Sequence, residues 1–598
     1  MTSARRSIAL VTLLSAFVIS ACGGGDERPG PSPRDRAAAN VCDPPRAALG
    51  LDEFSESRLR RAARGTFRVY GFRTELEPPV DWGADPHESL RFQADLSSWE
   101  FMDPLIAGYQ ASGERRYLRG ANELALDWIE ANPRGAPAGG VGTWSGKIAG
   151  DRAPRLAYLL RAQRCAGLLA PEQVAALRRS LREHVEILLG PESAGDTNHA
   201  LYVQVGLAAV SRQLPGLARA DEIRATAERR FRRVLEARLG DGVWLEHSTS
   251  YQFLAIRVVE RFLSLVGRNE ALESDLRGMR RAAAWLTAPD GLHSLFGDSR
   301  ALQAPPDLRR VARRQAGLKV FPNAGFAAVR RGGSQLLVAA GFHNTTHKHA
   351  DELSFELSEG GRRLVSDTGM YHKDPGAIRD FVVSAQAHST LTVDDADFPV
   401  GDPGHSYGSG IRAWGSGGGW HAVLARNPLL ADQGAAHSRL FLYRPGRALI
   451  VADRVRGHRP HLFERRVQLA PGVRVADVSG AVAELTAPGF SGAVFDAGSG
   501  VAPELVLARG RDEPLAGYTS PAYREWQPRT TITLASEGST LTRALTLALD
   551  ESRLHAAAVR PRRDGGFVVR LTGAEGGGKS LSIARAGTSL SLRESASR

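Results

Sequence analysis

The residues of this chain best suited to chemistry fall in three short stretches. The densest is Phe342-His343-Asn344-Thr345-Thr346-His347-Lys348-His349-Ala350-Asp351, which runs into Glu352-Leu353-Ser354-Phe355-Glu356-Leu357. Alternate side chains of a strand share a face. As a strand, this stretch would therefore point His347, His349 and Asp351 the same way as Leu353, Phe355 and Leu357. The apolar trio marks that face as buried, and buried polar groups need partners. A metal ion or a hydrogen-bond network is predicted there. Asp367, in Leu364-Val365-Ser366-Asp367-Thr368-Gly369, ends the next predicted strand, and His388, in Ala387-His388-Ser389-Thr390, enters another. Two neutral imidazoles and one carboxylate suit zinc or a similar divalent ion with an open position. The plainer alternative is histidines that only cap a sheet edge.

The second stretch is Gly195-Asp196-Thr197-Asn198-His199-Ala200-Leu201-Tyr202. Asp196 or Thr197 is a good N-cap for an apolar helix over Ala200–Val210. Asn198 and His199 then fall in a first helical turn, where side chains and free N–H groups face an anion. The third is Trp244-Leu245-Glu246-His247-Ser248-Thr249-Ser250-Tyr251-Gln252, a polar loop feeding a helix that Tyr251 opens. Taken singly, the second stretch reads as an ordinary cap and Tyr251 as a half-buried packing residue.

The elements that must position these residues change character midway. From about residue 55 to 318 the chain reads as successive amphipathic helices without strand-like runs, among them Ala121–Glu130, Arg155–Leu169, Glu172–Leu189, Ala220–Leu239 and Tyr251–Val266. Within Glu172–Leu189, Val174, Leu177, Leu181, Val185 and Leu188 recur at helical spacing. Antiparallel helical hairpins wrapped into a toroid or solenoid fit this pattern. From about Val320 the pattern becomes short β-branched runs between Gly-rich turns. Ser334–Ala340, Leu391–Asp394, Ala448–Asp453, Thr530–Leu534, Leu541–Leu547 and Gly566–Leu571 are typical. The predicted class is α+β and multidomain, an N-terminal (α/α) toroid followed by a C-terminal antiparallel β-sandwich.

Arg5 and Arg6 precede an apolar run, Ile8 to Ala21, too short to span a bilayer as a helix. It ends Ile19-Ser20-Ala21-Cys22 and resembles the lipobox of bacterial lipoproteins, whose cysteine is lipidated and becomes the mature N-terminus. Residues 1–21 are accordingly predicted to be a signal peptide and 22–45 a flexible tether rich in Gly, Pro and charge. The helical domain is assigned to 46–318 and the sheet domain to 319–598. This implies a periplasmic or surface-facing protein, anchored by a lipid on Cys22 and placed most naturally at the outer membrane. Cys42 and Cys165 are free to pair in an oxidising compartment or to stay apart, and no CxxC spacing suggests a thiolate metal site. The formal charge of +12 favours a polyanionic partner. For an exported chain that partner is an acidic polysaccharide and not nucleic acid.

Together the three stretches resemble the heparinase II/III-like polysaccharide lyases, a group that includes alginate lyases, and the likeness covers most of the mature chain. The family's Asn-His pair looks like Asn198-His199, its Tyr after a Ser-containing loop like Tyr251, and its His-x-His-x-Asp segment like His347, His349 and Asp351. Its downstream metal-binding Asp and His look like Asp367 and His388. The resemblance implies cleavage of uronic-acid-containing polysaccharide by β-elimination. Asn198 and His199 would hold the uronate carboxylate, Tyr251 would protonate the leaving oxygen and, where both lie on one face, also abstract the C5 proton, and His347 or His199 would act as base or share that load. His349, Asp367 and His388 would bind the metal, zinc by analogy. A second family tyrosine has no matched position, with Tyr371 and Tyr407 as candidates, and Arg257 is a candidate substrate-reading arginine.

Two rival readings exist. A glycoside hydrolase on a similar toroid needs two carboxylates flanking the bond, for which Glu246 and Asp298 are candidates, but it leaves the His-x-His-x-Asp segment unexplained. A non-catalytic glycan-binding lipoprotein has no need to keep Asn198, Tyr251 and His347.

Overall fold

The computed structural model describes Leu49 and residues 55–135, 142–498, 501–576 and 578–596. The predicted leader, the tether, Cys22 and Cys42 lie outside these residues. Cys165 is disulfide-bonded, and its partner also lies outside them.

Long helices dominate the first half: Arg115–Ala131, Gly146–Ala166, Pro171–Leu189, Asn198–Gln213, Ala220–Arg238, Thr249–Val266 and Glu270–Leu286. Their apolar stripes meet in one core that includes Trp99, Leu118, Leu159, Leu207, Phe231 and Phe262. Strand pairing is not absent here as the sequence suggested. Thr66–Val69 pairs with Phe72–Glu75, and Leu239–Gly240 with Val243–Trp244.

The helix expected to start at Arg155 starts at Gly146, and its earlier turns carry Gly150 and Pro154, poor helix formers. Packing explains them. A Cβ on Gly206 would stand 2.6 Å from the Gly150 carbonyl oxygen, so the helices Gly146–Ala166 and Asn198–Gln213 meet backbone to backbone. That contact seats the helix whose first residue is Asn198.

The last helix of this half is Pro306–Arg314, and strands begin at Gly317. Five antiparallel strands lie in the order Arg362–Val365, Phe355–Glu359, Ser334–Ala339, Phe326–Arg331, Gly317–Phe321. They face a larger sheet built on Ala448–Gln468 and Thr530–Ala548, paired antiparallel over most of their length. Val338, Phe355 and Leu357 from one sheet pack with Phe441, Leu449, Val451 and Leu545 from the other, which is a sandwich core. The separately predicted strands Thr530–Leu534 and Leu541–Leu547 are one strand. A register shift between Arg456 and His461, opposite Gly538, marks the apparent break. Among the described residues no helix is long and apolar enough to cross a membrane.

Candidate active site

The site forms where the two halves meet. The helical half contributes Asn198 and Tyr251, both in first helical turns. Ser248 caps the helix Thr249–Val266 by accepting from the Tyr251 N–H, so Tyr251 is its third residue and not its opening one. Thr197 occupies the cap position of Asn198–Gln213 but makes no side-chain cap. The carboxylate of fully buried Glu246 takes over that task, accepting from the Asn198 backbone N–H at 2.9 Å and from its side-chain amide at 2.7 Å. The anion predicted for this helix N-terminus is therefore the protein's own.

The sheet half contributes His347, and here the expected strand is not formed. Residues from His347 to Ser354 are a buried loop, and the strand starts only at Phe355. Left-handed φ angles at His347 (57°) and Leu353 (61°) break the alternation. Asp351 accordingly turns to the buried ammonium of Lys348 and away from the imidazoles. His247 braces this loop from the helical side. Its Nε2 accepts from the His343 N–H at 2.9 Å, and its Nδ1 donates to the Thr346 carbonyl at 3.1 Å. Gly297, at φ 56°, passes so close that a Cβ would sit 2.7 Å from the His347 carbonyl oxygen.

The Tyr251 and His347 rings stack with centroids 3.6 Å apart. His347 Nε2 lies 3.5 Å from the Asn198 amide nitrogen and 3.6 Å from the Glu246 carboxylate. Its Nδ1 lies 3.1 Å from Asp298 and 3.0 Å from the Lys373 ammonium. One nitrogen cannot both donate to a carboxylate and accept from an ammonium. Buried Asp298 claims the Nδ1 proton, which leaves the lone pair on Nε2. Burial lowers the His347 pKa against the opposing pull of Asp298, so its resting form is neutral. Burial pushes Asp298 up, but hydrogen bonds from His347 and His349 and the charge of Arg379 outweigh it and hold the acid well below its ordinary range.

His199 sits on the solvent side. Desolvation, then the nearby Lys147 charge, lower it to about 4, so it is a neutral donor or acceptor at neutral pH and not a cation. Tyr407 is buried, its phenol pushed well above the usual range by desolvation, and Tyr371 packs edge-on against Trp526. Neither shares a ring contact or hydrogen bond with Tyr251. Arg257 lies near enough to Tyr202 and His293 to act on both electrostatically.

The three predicted metal ligands are neighbours. His388 Nδ1 lies 2.7 Å from Asp367, the His349 and His388 ring centroids are 5.4 Å apart, and all three residues are fully buried. Asp367 is engaged by His388, by Ser354 and by the Thr368 N–H. Among the described residues no group of three donors is arranged to hold an ion. Yet His349 Nδ1 and His388 Nε2 are buried without a partner, and such orphans fit a metal ion between the rings.

Sequence reasoning missed Lys373 and Arg379, and gave Glu246, His247 and Asp298 no place in this site. Arg379 pairs with Asp298 at 2.5 Å, and Lys373 lies in the irregular loop around Asp374-Pro375-Gly376, which no periodicity flags. Glu246 and Asp298 were visible as carboxylates for a hydrolase. Both are instead buried and committed, Glu246 to Asn198 and Asp298 to two histidines and Arg379.

A helical half joined to an antiparallel sandwich, with a phenol, an imidazole and an amide brought together at the seam, defines the two-domain architecture. The family model described as Heparinase II/III N-terminus matches residues 56–326, and that described as Heparinase II/III-like, C-terminal matches 313–565. The chain belongs to the heparinase II/III-like family. Among solved structures it is similar to heparinase III, with a TM-score of 0.76 at 16% identity over 91% of this chain and 93% of that one. It is also similar to the heparan sulfate lyase HepC from Pedobacter heparinus, with a TM-score of 0.65 at 17% identity over 92% and 93% of the two chains. These likenesses establish the shared toroid-plus-sandwich fold. No curated protein sequence matches the chain.

Proposed function

We propose that the protein is a polysaccharide lyase that cleaves uronic-acid-containing acidic polysaccharide by β-elimination. The observation that carries this reading is the Tyr251–His347 stack with the Asn198 amide at its edge. It gathers an acid, a base and a carboxylate binder without any free pair of carboxylates.

The proton to be removed lies α to the uronate carboxylate, and the carbanion needs charge stabilisation. Asn198 has one amide hydrogen on Glu246 and the other turned toward His347 Nε2, with the two nitrogens 3.5 Å apart. That second hydrogen, with neutral His199, would bind the carboxylate. His347 Nε2 takes the C5 proton, and Glu246 and Asp298 on either side favour the imidazolium that forms. The C5–H electrons become the C4–C5 double bond, the C4–O4 bond breaks, and Tyr251 gives its phenolic proton to O4. A metal ion held by His349 and His388, with Asp367 orienting His388, would supply positive charge beneath the site and brace both rings. Zinc suits the nitrogen donors.

The charge of +12 supports a polyanionic substrate. The lipobox-like run ending in Cys22 supports a lipid-anchored protein of the periplasm or cell surface, which fatty-acid labelling of wild type against Cys22→Ser tests.

The function is tested by ultraviolet absorbance on mixing the purified protein with alginate, hyaluronan, chondroitin, heparan-type chains and glucuronate-rich exopolysaccharides. Elimination leaves a conjugated unsaturated uronate that absorbs, and Tyr251→Phe and His347→Ala should each leave only a small residual rate of signal increase. New reducing ends without absorbance would mean hydrolysis and end the lyase reading.

A further inference from the structure

Tyr251 has a partner that the mechanism above leaves unused. The Lys373 ammonium lies 2.9 Å from the Tyr251 oxygen and 5.1 Å from its ring centroid, on a loop of the sheet half. Its other neighbours are His347 Nδ1 at 3.0 Å and Asp298 at 3.7 Å, and the side chain is 46% exposed. An ammonium has no lone pair, so in this bond Lys373 donates and the phenol oxygen accepts. The phenol's own hydrogen must then point elsewhere. That hydrogen lies in the ring plane, clear of the His347 ring stacked on its face, and Tyr251 is half-buried. Asp298 does not consume the lysine charge, because Arg379 holds that carboxylate closer, at 2.5 and 3.3 Å.

We propose that Lys373 is the positioning residue for Tyr251, aiming the phenolic proton at the leaving oxygen and balancing the phenolate left behind. The inference rests on the lyase reading. During elimination the Tyr251 O–H bond breaks as the O4–H bond forms, and a negative charge appears on the phenol oxygen beside the ammonium. Tyr251 regains its proton from water, and the His347 imidazolium releases the C5 proton to solvent, so each turnover restores both groups. Lys373 acts only through Tyr251 and keeps its own protons throughout.

The test uses the full-length protein with Lys373→Met and Lys373→Arg, each in the wild-type and Tyr251→Phe backgrounds, on whichever polymer gives absorbance. Lys373→Met should lower kcat on the order of 10²-fold with KM little changed. Lys373→Arg, which keeps the charge, should recover much of the rate. In the Tyr251→Phe background Lys373→Met should cost nothing further, since the residue acts through the lost hydroxyl. A raised KM with intact kcat, equal loss in Met and Arg variants, or additive losses would each overturn the proposal. If wild type cleaves nothing, the lyase reading fails separately, and crystal structures of wild type and Lys373→Met still decide the contact. The Tyr251 phenol should lie against the Lys373 ammonium in wild type and turn away from that position in Lys373→Met, with His347 still stacked on its ring. A phenol that stays in place without the lysine would refute the assignment.

Discussion

Replacing Glu246 by glutamine changes one atom's chemistry at the point where the helix Asn198–Gln213 begins. In the native site both carboxylate oxygens only accept, from the Asn198 backbone N–H at 2.9 Å and its amide at 2.7 Å. A glutamine offers one acceptor and one donor. If its oxygen stays on the backbone N–H, its amine meets the Asn198 amine donor to donor. The structure relieves this by turning the Asn198 amide so that its carbonyl accepts. Both charge-assisted bonds are then replaced by neutral ones, and the partly positive helix end loses its anion. These losses together are about 1.5–3 kcal/mol. The rotated amide also turns its second hydrogen away from His347 Nε2. If Asn198 holds the substrate carboxylate, losing that donor should cost about 10²–10³ in kcat. Denaturant unfolding gives the first quantity, and initial rates of absorbance increase give the second. A Glu246→Gln protein with wild-type turnover, or one whose activity loss follows entirely from its unfolded fraction, would refute the reasoning.

Gly206→Ala forces a methyl against the Gly150 carbonyl and should destabilise the protein by about 1–3 kcal/mol, measured by denaturant unfolding, because backbone has nowhere to retreat. Stability should also fall in acid through His293, 4% exposed and stacked on Phe253, which burial and the Arg257, Arg363 and Arg300 charges lower to about 3. Its stabilising contribution is complete above the unfolded value near pH 6.5 and is lost as pH falls toward 3. About 2 kcal/mol should be gone by pH 5, and His293→Asn should flatten that part of the profile. Chelation should lower the midpoint of thermal unfolding, zinc should restore it, and His388→Ala should carry less metal by elemental analysis and no longer respond.

What was legible in the sequence was periodicity and punctuation. Helices such as Pro171–Leu189, Ala220–Arg238 and Thr249–Val266 and the change to strands near Gly317 followed from apolar spacing. Asn198 and Tyr251, by contrast, read singly as a cap and a packing residue and were singled out only by the resemblance of the three stretches to one family. The His347–Asp351 stretch misled because its alternation is chemically convincing. Its left-handed turn at His347 lies against distant groups, His247 and the passing Gly297 backbone, and that at Leu353 presents its carbonyl to the distant Arg439, and none of these partners leaves a mark in local composition. The same distance hid the partnerships. Glu246 lies 48 residues from Asn198, and Asp298 lies 81 from Arg379. A carboxylate awaiting a substrate and one already satisfied look alike until the fold brings them their partners.

Asp298 touches His347 and His349 at once, through opposite oxygens, with Arg379 bridging both. A single carboxylate thus belongs to the reacting cleft and to the buried histidine layer beneath it. Under the proposed lyase mechanism, a change in the buried layer at His349 should therefore reach His347 through Asp298 without altering any group that faces the substrate.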